Sequence, residues 1–403
     1  MKFKKIDISR IAIVTSMVSL ALIYPALWMR MLANPVEYTG ADFIAFYAAG
    51  RIADNEGAAQ VYQLPLQKKY QQEVVMYDFE LEEILPYIHP PYVVPLAQLA
   101  VIPNYLKSFQ RWAVLMLFVL SLGVLFLTST TKGLFSNTEK IVFAFGILLF
   151  FPLFQSILLG QDNALVFLGV SIWMWGLFRK KDWAAGLGLA LTTVRPHFTL
   201  FFLILYLFKQ RMVLVWFIFF VLILVVASFA YVGVGGVEGF IHILTVSGGG
   251  EHFKTNEQNM INFIGLMRRG FPGISPVLVR KAGWILFALA LLLLGIYFGR
   301  KNGNMEGMDI SMATVAGIFF SPHTHAQDMI MLVVPVMVLA FLLMKKQVVL
   351  PNRVVLLPLL ISLVLLFSYF SPILTHSIPY ILMFGLLVAI WHYQKNPQIV
   401  NIS

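Results

Sequence analysis

The sequence predicts an all-α polytopic membrane protein, and three observations lead there. Of its 403 residues, 59% are hydrophobic and only 12% charged, with a mean hydropathy of +0.82. A soluble chain of this length needs a far more charged surface. Apolar runs of about 20 residues, the length a helix needs to cross the hydrocarbon core, recur from end to end, and no alternating strand pattern suggests a β-barrel. The net charge of +10 reads as topology rather than nucleic-acid binding. Lys and Arg gather at the start (Lys2, Lys4, Lys5, Arg10) and in short connections (Lys132, Lys140, Arg179 to Lys181, Lys209, Arg211, Arg300, Lys301, Lys345, Lys346, Arg353, Lys395). The positive-inside rule puts these, and both termini, in the cytoplasm. Zero cysteines exclude disulfides, thiolate metal sites and a cysteine nucleophile.

Residues 11–31 are the first expected span, an uncleaved anchor because a basic stretch precedes it and no small-residue cleavage site follows. The first extracytoplasmic loop, 32–105, is too aromatic for a linker. Within it AAQVYQLPLQKKYQQEVVMY reads as amphipathic helices on the membrane face, and IHPPYVVPLAQLAVIP holds too many prolines to span. Spans near 106–128 and 140–158 flank the cytoplasmic TKGLFSNTEK; LLGQDN (158–163) is a tight exterior turn, and 164–178 returns to RKKD. Residues 183–208 have the length of one span, yet basic clusters flank both ends and TTVRPH sits mid-way, where Arg195 and Pro196 break a helix. Two half-helices meeting at a polar tip satisfy the charge rule better than one crossing. Residues 212–233 lead to a second extracytoplasmic loop, 234–275, whose Gly248 to Gly250, with Glu251 and His252, make a segment able to close as a lid. After a span at 277–299, segments 310–321 and 326–344 repeat the broken pair around SPHTHAQD, and spans near 353–370 and 377–393 end the chain. The expectation is one domain, 1–403, of about 10–12 helices in a cell (cytoplasmic or inner) membrane.

On this topology the polar residues at membrane depth converge toward the exterior face. Ionisable groups so placed are costly unless paired or lining a wet cavity, which makes each a functional candidate. Asp42 opens ADFIAFYAAGR; it is either a helix N-cap or a carboxylate held by interfacial Phe43, Phe46 and Tyr47 where it can deprotonate an acceptor hydroxyl. Arg51, further along, has a structural ion pair as its plainer alternative. His323, His325 and Asp328 in SPHTHAQD allow a metal site or a capped helix start, but phosphate or hydroxyl contact fits better. Arg195 suits an anionic headgroup, with snorkelling as the alternative. Gln161, Asp162 and Asn163 suit sugar hydroxyls or a plain turn, and His89 reads as an interfacial histidine. No Walker loop or dinucleotide fingerprint is present, so any donor is reached from the membrane or from outside.

ADFIAFYAAGR, HPPYVVPLAQLAVIP, GQDNALVFLGVSIWMWGLFRKK, AAGLGLALTTVRPHFTLFFLILYLFKQR and SPHTHAQDMIMLVVP, in that order, resemble glycosyltransferase family 87 over roughly 38–345. The resemblance implies a GT-C fold with its cavity on the extracytoplasmic side. It also implies an inverting transferase that moves a sugar, mannose by the type members, from a polyprenyl-phosphate donor to a glycan or lipid acceptor without nucleotide, metal or other cofactor. Under it Asp42 is the general base and His323 an active-site histidine. Arg195 and His325 face the donor phosphate, while Gln161, Asn163, Arg51 and Tyr47 are candidates for sugar or acceptor contact. His89 stands where the family commonly has an aromatic residue. Two other classes share the broken helices: a secondary transporter, which usually shows paired repeats and midplane sites, and a non-catalytic polyprenyl-lipid binder or flippase, which would not need Asp42.

Overall fold

Helices are the only regular structure among the residues that the computed structural model describes: 18, 21–30, 33, 42–131, 135–248, 257–301, 305–345, 357–368 and 371–395. The termini, most of the first expected span and the expected lid with Glu251 and His252 lie outside them.

In chain order, α1 (21–30) is followed by α2 (Phe43–Asn55), α3 (Leu64–Val75) and α4 (Val94–Ala100). Then come α5 (Tyr105–Ser129), α6 (Asn137–Leu148), α7 (Phe151–Leu158), α8 (Asn163–Phe178), α9 (Asp182–Leu191) and α10 (Pro196–Tyr206). The chain continues with α11 (Arg211–Gly248), α12 (Phe263–Gly270), α13 (Pro276–Arg300) and α14 (Gly307–Phe320). A 3₁₀ turn (Ala326–Leu332) leads to α15 (Val333–Lys345), and α16 (Leu357–Ser368) and α17 (Pro372–Lys395) complete it.

Five segments among the described residues are long and apolar enough to cross a membrane: α5, α11, α13, the run Ala326–Met344 and most of α17. The pair α6 and α7, bent by 45° at their junction, supplies a sixth. The molecule is therefore an all-α, multi-pass membrane protein, consistent with a GT-C-type bundle; the expected 10–12 helices include short segments taken separately, and among the described residues five or six are full-length spans. Several apolar runs fold instead as short helices that turn back at a polar tip.

The first such hairpin is α9 and α10. Gly188 lies so close to α8 that a Cβ there would stand 2.3 Å from the Trp173 nitrogen, and one on Gly176 would stand 2.4 Å from the Ala185 nitrogen. These contacts run α9 antiparallel to α8. At the break, Arg195 reaches the first residue of α8, Asn163, at 3.2 Å; at its far end α10 places the Tyr206 hydroxyl 2.6 Å from the Trp173 indole nitrogen of α8. Thus α10 returns toward the end from which α9 set out, and 182–206 is a pair of half-helices. The second hairpin pairs the short α14 with the full-length run formed by the 3₁₀ turn and α15: Gly307, at the base of α14, meets Val338 of α15, where a Cβ would come within 2.5 Å. Its tip is Ser321 to His325. The two hairpins pack against each other through Gly317 of α14, 3.5 Å at its Cβ position from Phe201 of α10.

One expected loop is ordered differently. Residues 234–248, assigned to the second extracytoplasmic loop, continue α11 as helix beyond a break at Gly233 (φ 68°, ψ −179°). That backbone conformation favours glycine, and buried Val232 and Ile243 anchor the helix on both sides of it. The Pro-rich segment of the first loop forms a 3₁₀ turn (Pro91–Val93) and the short α4, as its prolines require.

Candidate functional site

The two hairpin tips, the turn between α7 and α8, and the start of α2 meet at one end of the bundle. Gly160 fixes the turn. It adopts φ +72°, and a Cβ there would lie 2.3 Å from the Phe43 Cβ, so only glycine allows α2 to approach so closely. Two hydrogen bonds hold the register: the Phe43 amide donates to the Leu159 carbonyl at 3.2 Å, and the Trp112 indole donates to the Gly160 carbonyl at 2.8 Å. This register sets Gln161 beside Asp42.

Asp42 does not cap α2 with its side chain. Its Oδ2 accepts instead from the Gln161 amide, so of the two readings of this residue the capping one fails. Burial pushes the Asp42 carboxyl above its usual range, and the Gln161 hydrogen bond, His325, Arg195 and His89 oppose this only in part.

Arg195 sits at the break ahead of Pro196, where no helix can continue. Its Nη2 donates to Gln161 Oε1, to Asp162 Oδ1 at 3.3 Å and to Asn163 Oδ1 at 3.2 Å. Asp162, with no exposed side-chain area, also lies 2.7 Å from His89 Nδ1. Its burial alone would raise its pKa, but the charges of His89 and Arg195 outweigh that and hold the carboxyl below its usual range. His89 is 7% exposed and is wedged against Phe46, with ring centroids 4.4 Å apart; it is a core residue and not an interfacial one. Asn163 in turn donates to Asp328 Oδ1 at 3.1 Å, and Asp328 Oδ2 accepts from the His325 amide at 2.8 Å. The result is a chain of polar contacts from Asp42 through Gln161, Arg195 and Asn163 to Asp328 and His325.

His323 and His325 face each other edge-on, 4.7 Å between ring centroids. Burial lowers the pKa of both, assisted at His323 by the charges of His325 and Arg195. Neutral imidazoles act as hydrogen-bond donors or acceptors rather than as charges. The second connection covers this tip: the Ile261 amide donates to the Thr324 carbonyl at 3.0 Å, and Asn262 Nδ2 donates to the Ser321 carbonyl at 2.8 Å.

Around the tips, Arg195 Nε, His197 Nε2, Ser321 Oγ and Thr324 Oγ1 are buried without a hydrogen-bond partner among the described residues. Such groups are expensive unless a ligand or water satisfies them. No three His, Asp or Glu side chains gather in metal-holding geometry among the described residues.

Of the candidates read from the sequence, Asp42, Gln161, Asn163, Arg195, His323 and His325 come together here. Tyr47 and Arg51 do not join them. The Tyr47 hydroxyl donates to the Pro103 carbonyl at 2.9 Å, and Arg51 donates to that hydroxyl at 3.0 Å while lying over Tyr70, so both stitch α2 to its neighbours. Asp162 and Asp328, which the sequence offers only as alternatives beside a plain turn and a capped helix start, belong to the cluster, as do His89, read from the sequence as interfacial, and His197, which is absent from the sequence candidates. A buried Asp within GQDN and a His directly after Arg-Pro were the available signals.

The model of glycosyltransferase family 87 matches residues 87–322. This span contains His89, the GQDN turn and Arg195, and stops just before His323. No curated protein and no solved structure matches the chain.

Proposed function

From the premise that the chain belongs to glycosyltransferase family 87, a family of polyprenyl-phosphate-sugar-dependent enzymes, we propose that the acid cluster at the hairpin tips is its transfer site, with Asp42 as general base. The observation that carries this reading is the convergence of a buried carboxylate, a guanidinium and orphaned donors on one end of an apolar bundle. A polyprenyl phosphate supplies what this end lacks: acceptor oxygens for Arg195 Nε, Ser321 Oγ and Thr324 Oγ1, and a hydrocarbon chain for the surrounding membrane.

In the proposed step the acceptor hydroxyl attacks the sugar C1. Asp42 takes its proton, the C1–oxygen bond to the acceptor forms, and the bond from C1 to the phosphate oxygen breaks with its electron pair leaving on the polyprenyl phosphate. Attack opposite the leaving group inverts the anomeric centre. A carboxylate raised by burial is a stronger base than an exposed one, which suits this task. Arg195, oriented by Gln161, Asp162 and Asn163, offsets charge on the departing phosphate, and the neutral His323 contributes a hydrogen bond rather than a charge. His325 lies in the field of Asp328 and Asp42. We assign mannose as the sugar and a glycan or glycolipid as the acceptor, on the extracytoplasmic side, following the family's type members and the basic residues clustered at the opposite end of the bundle. Family membership sets aside the transporter and the non-catalytic lipid binder as primary functions.

The test is purified protein in nanodiscs, offered radiolabelled polyprenyl-phosphate sugars and membrane-extracted acceptors. Label passing to product in the wild type, but not in Asp42→Asn that still binds donor, supports the reading. Equal turnover by both proteins removes Asp42 from the mechanism.

A further inference from the structure

On the side of α5 that faces away from the acid cluster, a groove of about 740 Å³ runs between that helix and the end of α4. Lys107, Arg111, Val114 and Phe118 line it as one stripe, because residues three, four and seven apart share a helix face. The opposite face of α5 carries Phe109 and Trp112, whose rings pack 5.3 and 6.2 Å from that of Phe43. The groove is thus separated from Asp42 by the thickness of α5.

Its chemistry is graded along the helix. α5 has 25 residues and rises roughly 37 Å, more than the hydrocarbon core of about 30 Å. Lys107 and Arg111, in its first two turns, therefore lie at headgroup depth, and Val114 and Phe118 lie at acyl depth. These two apolar side chains are 63% and 60% exposed. Neither cation has a carboxylate partner among the described residues: Arg111 donates only to the Leu99 carbonyl, at 2.9 Å. Several other cations at this end are paired with carboxylates, Lys68 with Asp78, Lys69 with Glu56, and Arg268 and Arg280 with Glu257. Positive charge above an open apolar strip is complementary to an anionic amphiphile.

We propose that this groove binds an anionic phospholipid of the surrounding bilayer, with its phosphate between Lys107 and Arg111 and an acyl chain along Val114 and Phe118. It is an accessory site, distinct from the proposed transfer site on the other face of α5. The probe is dioleoylphosphatidylglycerol added to delipidated full-length protein in neutral detergent and read by native mass spectrometry, with dioleoylphosphatidylcholine and polyprenyl phosphate as comparison ligands. Wild type is expected to retain one phosphatidylglycerol per chain in preference to phosphatidylcholine. The double variant Lys107→Gln/Arg111→Gln should bind it about tenfold more weakly. Val114→Trp, which fills the acyl strip and leaves both charges, should weaken it as well. Binding unchanged in both variants overturns the proposal, and so does one-for-one displacement by polyprenyl phosphate, which would give the groove to the donor.

Discussion

Asp42 carries opposite demands on stability and on chemistry. Its folded pKa is raised above the ordinary 3.8 by burial, so the folded state binds this proton more tightly than the unfolded chain does. Its contribution to stability is present below the unfolded value and is lost as pH rises through the raised folded value. At neutral pH the ionised carboxylate is a net cost, and the uncharged Asn relieves it. Asp42→Asn should therefore raise the melting temperature while lowering the transfer rate by about 10²-fold or more. A variant that loses both activity and stability would show a structural carboxylate instead. The same shift predicts that kcat/KM climbs with pH through the raised pKa and then levels, with half-maximal rate above the usual carboxylate range. Asp162 behaves oppositely. Neighbouring charges keep it ionised, and Asp162→Asn leaves Arg195 buried with its main counter-charge gone, a loss of about 3–5 kcal/mol that thermal melting in detergent would register. The sequence singles out the first of these carboxylates, and offers the second only as a sugar-hydroxyl contact or a plain turn. Asp42 stands alone at the head of an aromatic helix, whereas Asp162 looks like any turn residue until the fold brings His89 and Arg195 to it.

At the scale of elements, the site depends on close approaches that only the fold enforces. Gly160→Ala puts a Cβ 2.3 Å from Phe43, on a backbone at positive φ. The turn must shift, and Gln161 then leaves Asp42. Activity should fall further than the melting temperature alone would explain, and restoration of the wild-type rate in this variant would show that the turn tolerates the shift. Asn262 is the corresponding device on the other side. Its Nδ2 holds the Ser321 carbonyl and its Oδ1 caps α12 at the Gly265 amide, 2.9 Å away. Asn262→Ala forfeits a cap of about 1 kcal/mol and frees the tip that bears His323 and His325. A reduced kcat with a melting temperature only a few degrees lower is expected. Charge patterning, the Arg-Pro break and the polar SPHTHAQD join point to both hairpins, because those residues cannot be hidden inside a continuous span. The helical extension past Gly233 was not legible, since glycines in a run such as GVGGVEG read as loop until packing orders them.

At the scale of the whole molecule, both hairpins deliver polar tips to one end, while the basic connections at Arg179 to Lys181 and at Lys209 and Arg211 lie at the other. That arrangement explains why the family-type chemistry needs so little soluble protein. Under the proposed function the apolar bundle would hold a membrane-soluble donor, and the hairpins would bring polar groups to the depth of its phosphate. It also makes the topology testable, because the chain has no cysteine of its own. If 182–206 turns back, Lys181 and Gln210, on its two flanks, lie on the same side of the membrane. Met76, 89% exposed at the site end, lies on the other. Single cysteines at Lys181 and Gln210 should resist a membrane-impermeant maleimide in intact cells and react after permeabilisation, while Met76→Cys reacts at once. Labelling of Lys181→Cys and Gln210→Cys from opposite sides would convert the hairpin into a crossing and reverse every helix that follows. The tip with His323 would then leave the side on which Asp42 stands, and the proposed transfer site would be lost with it.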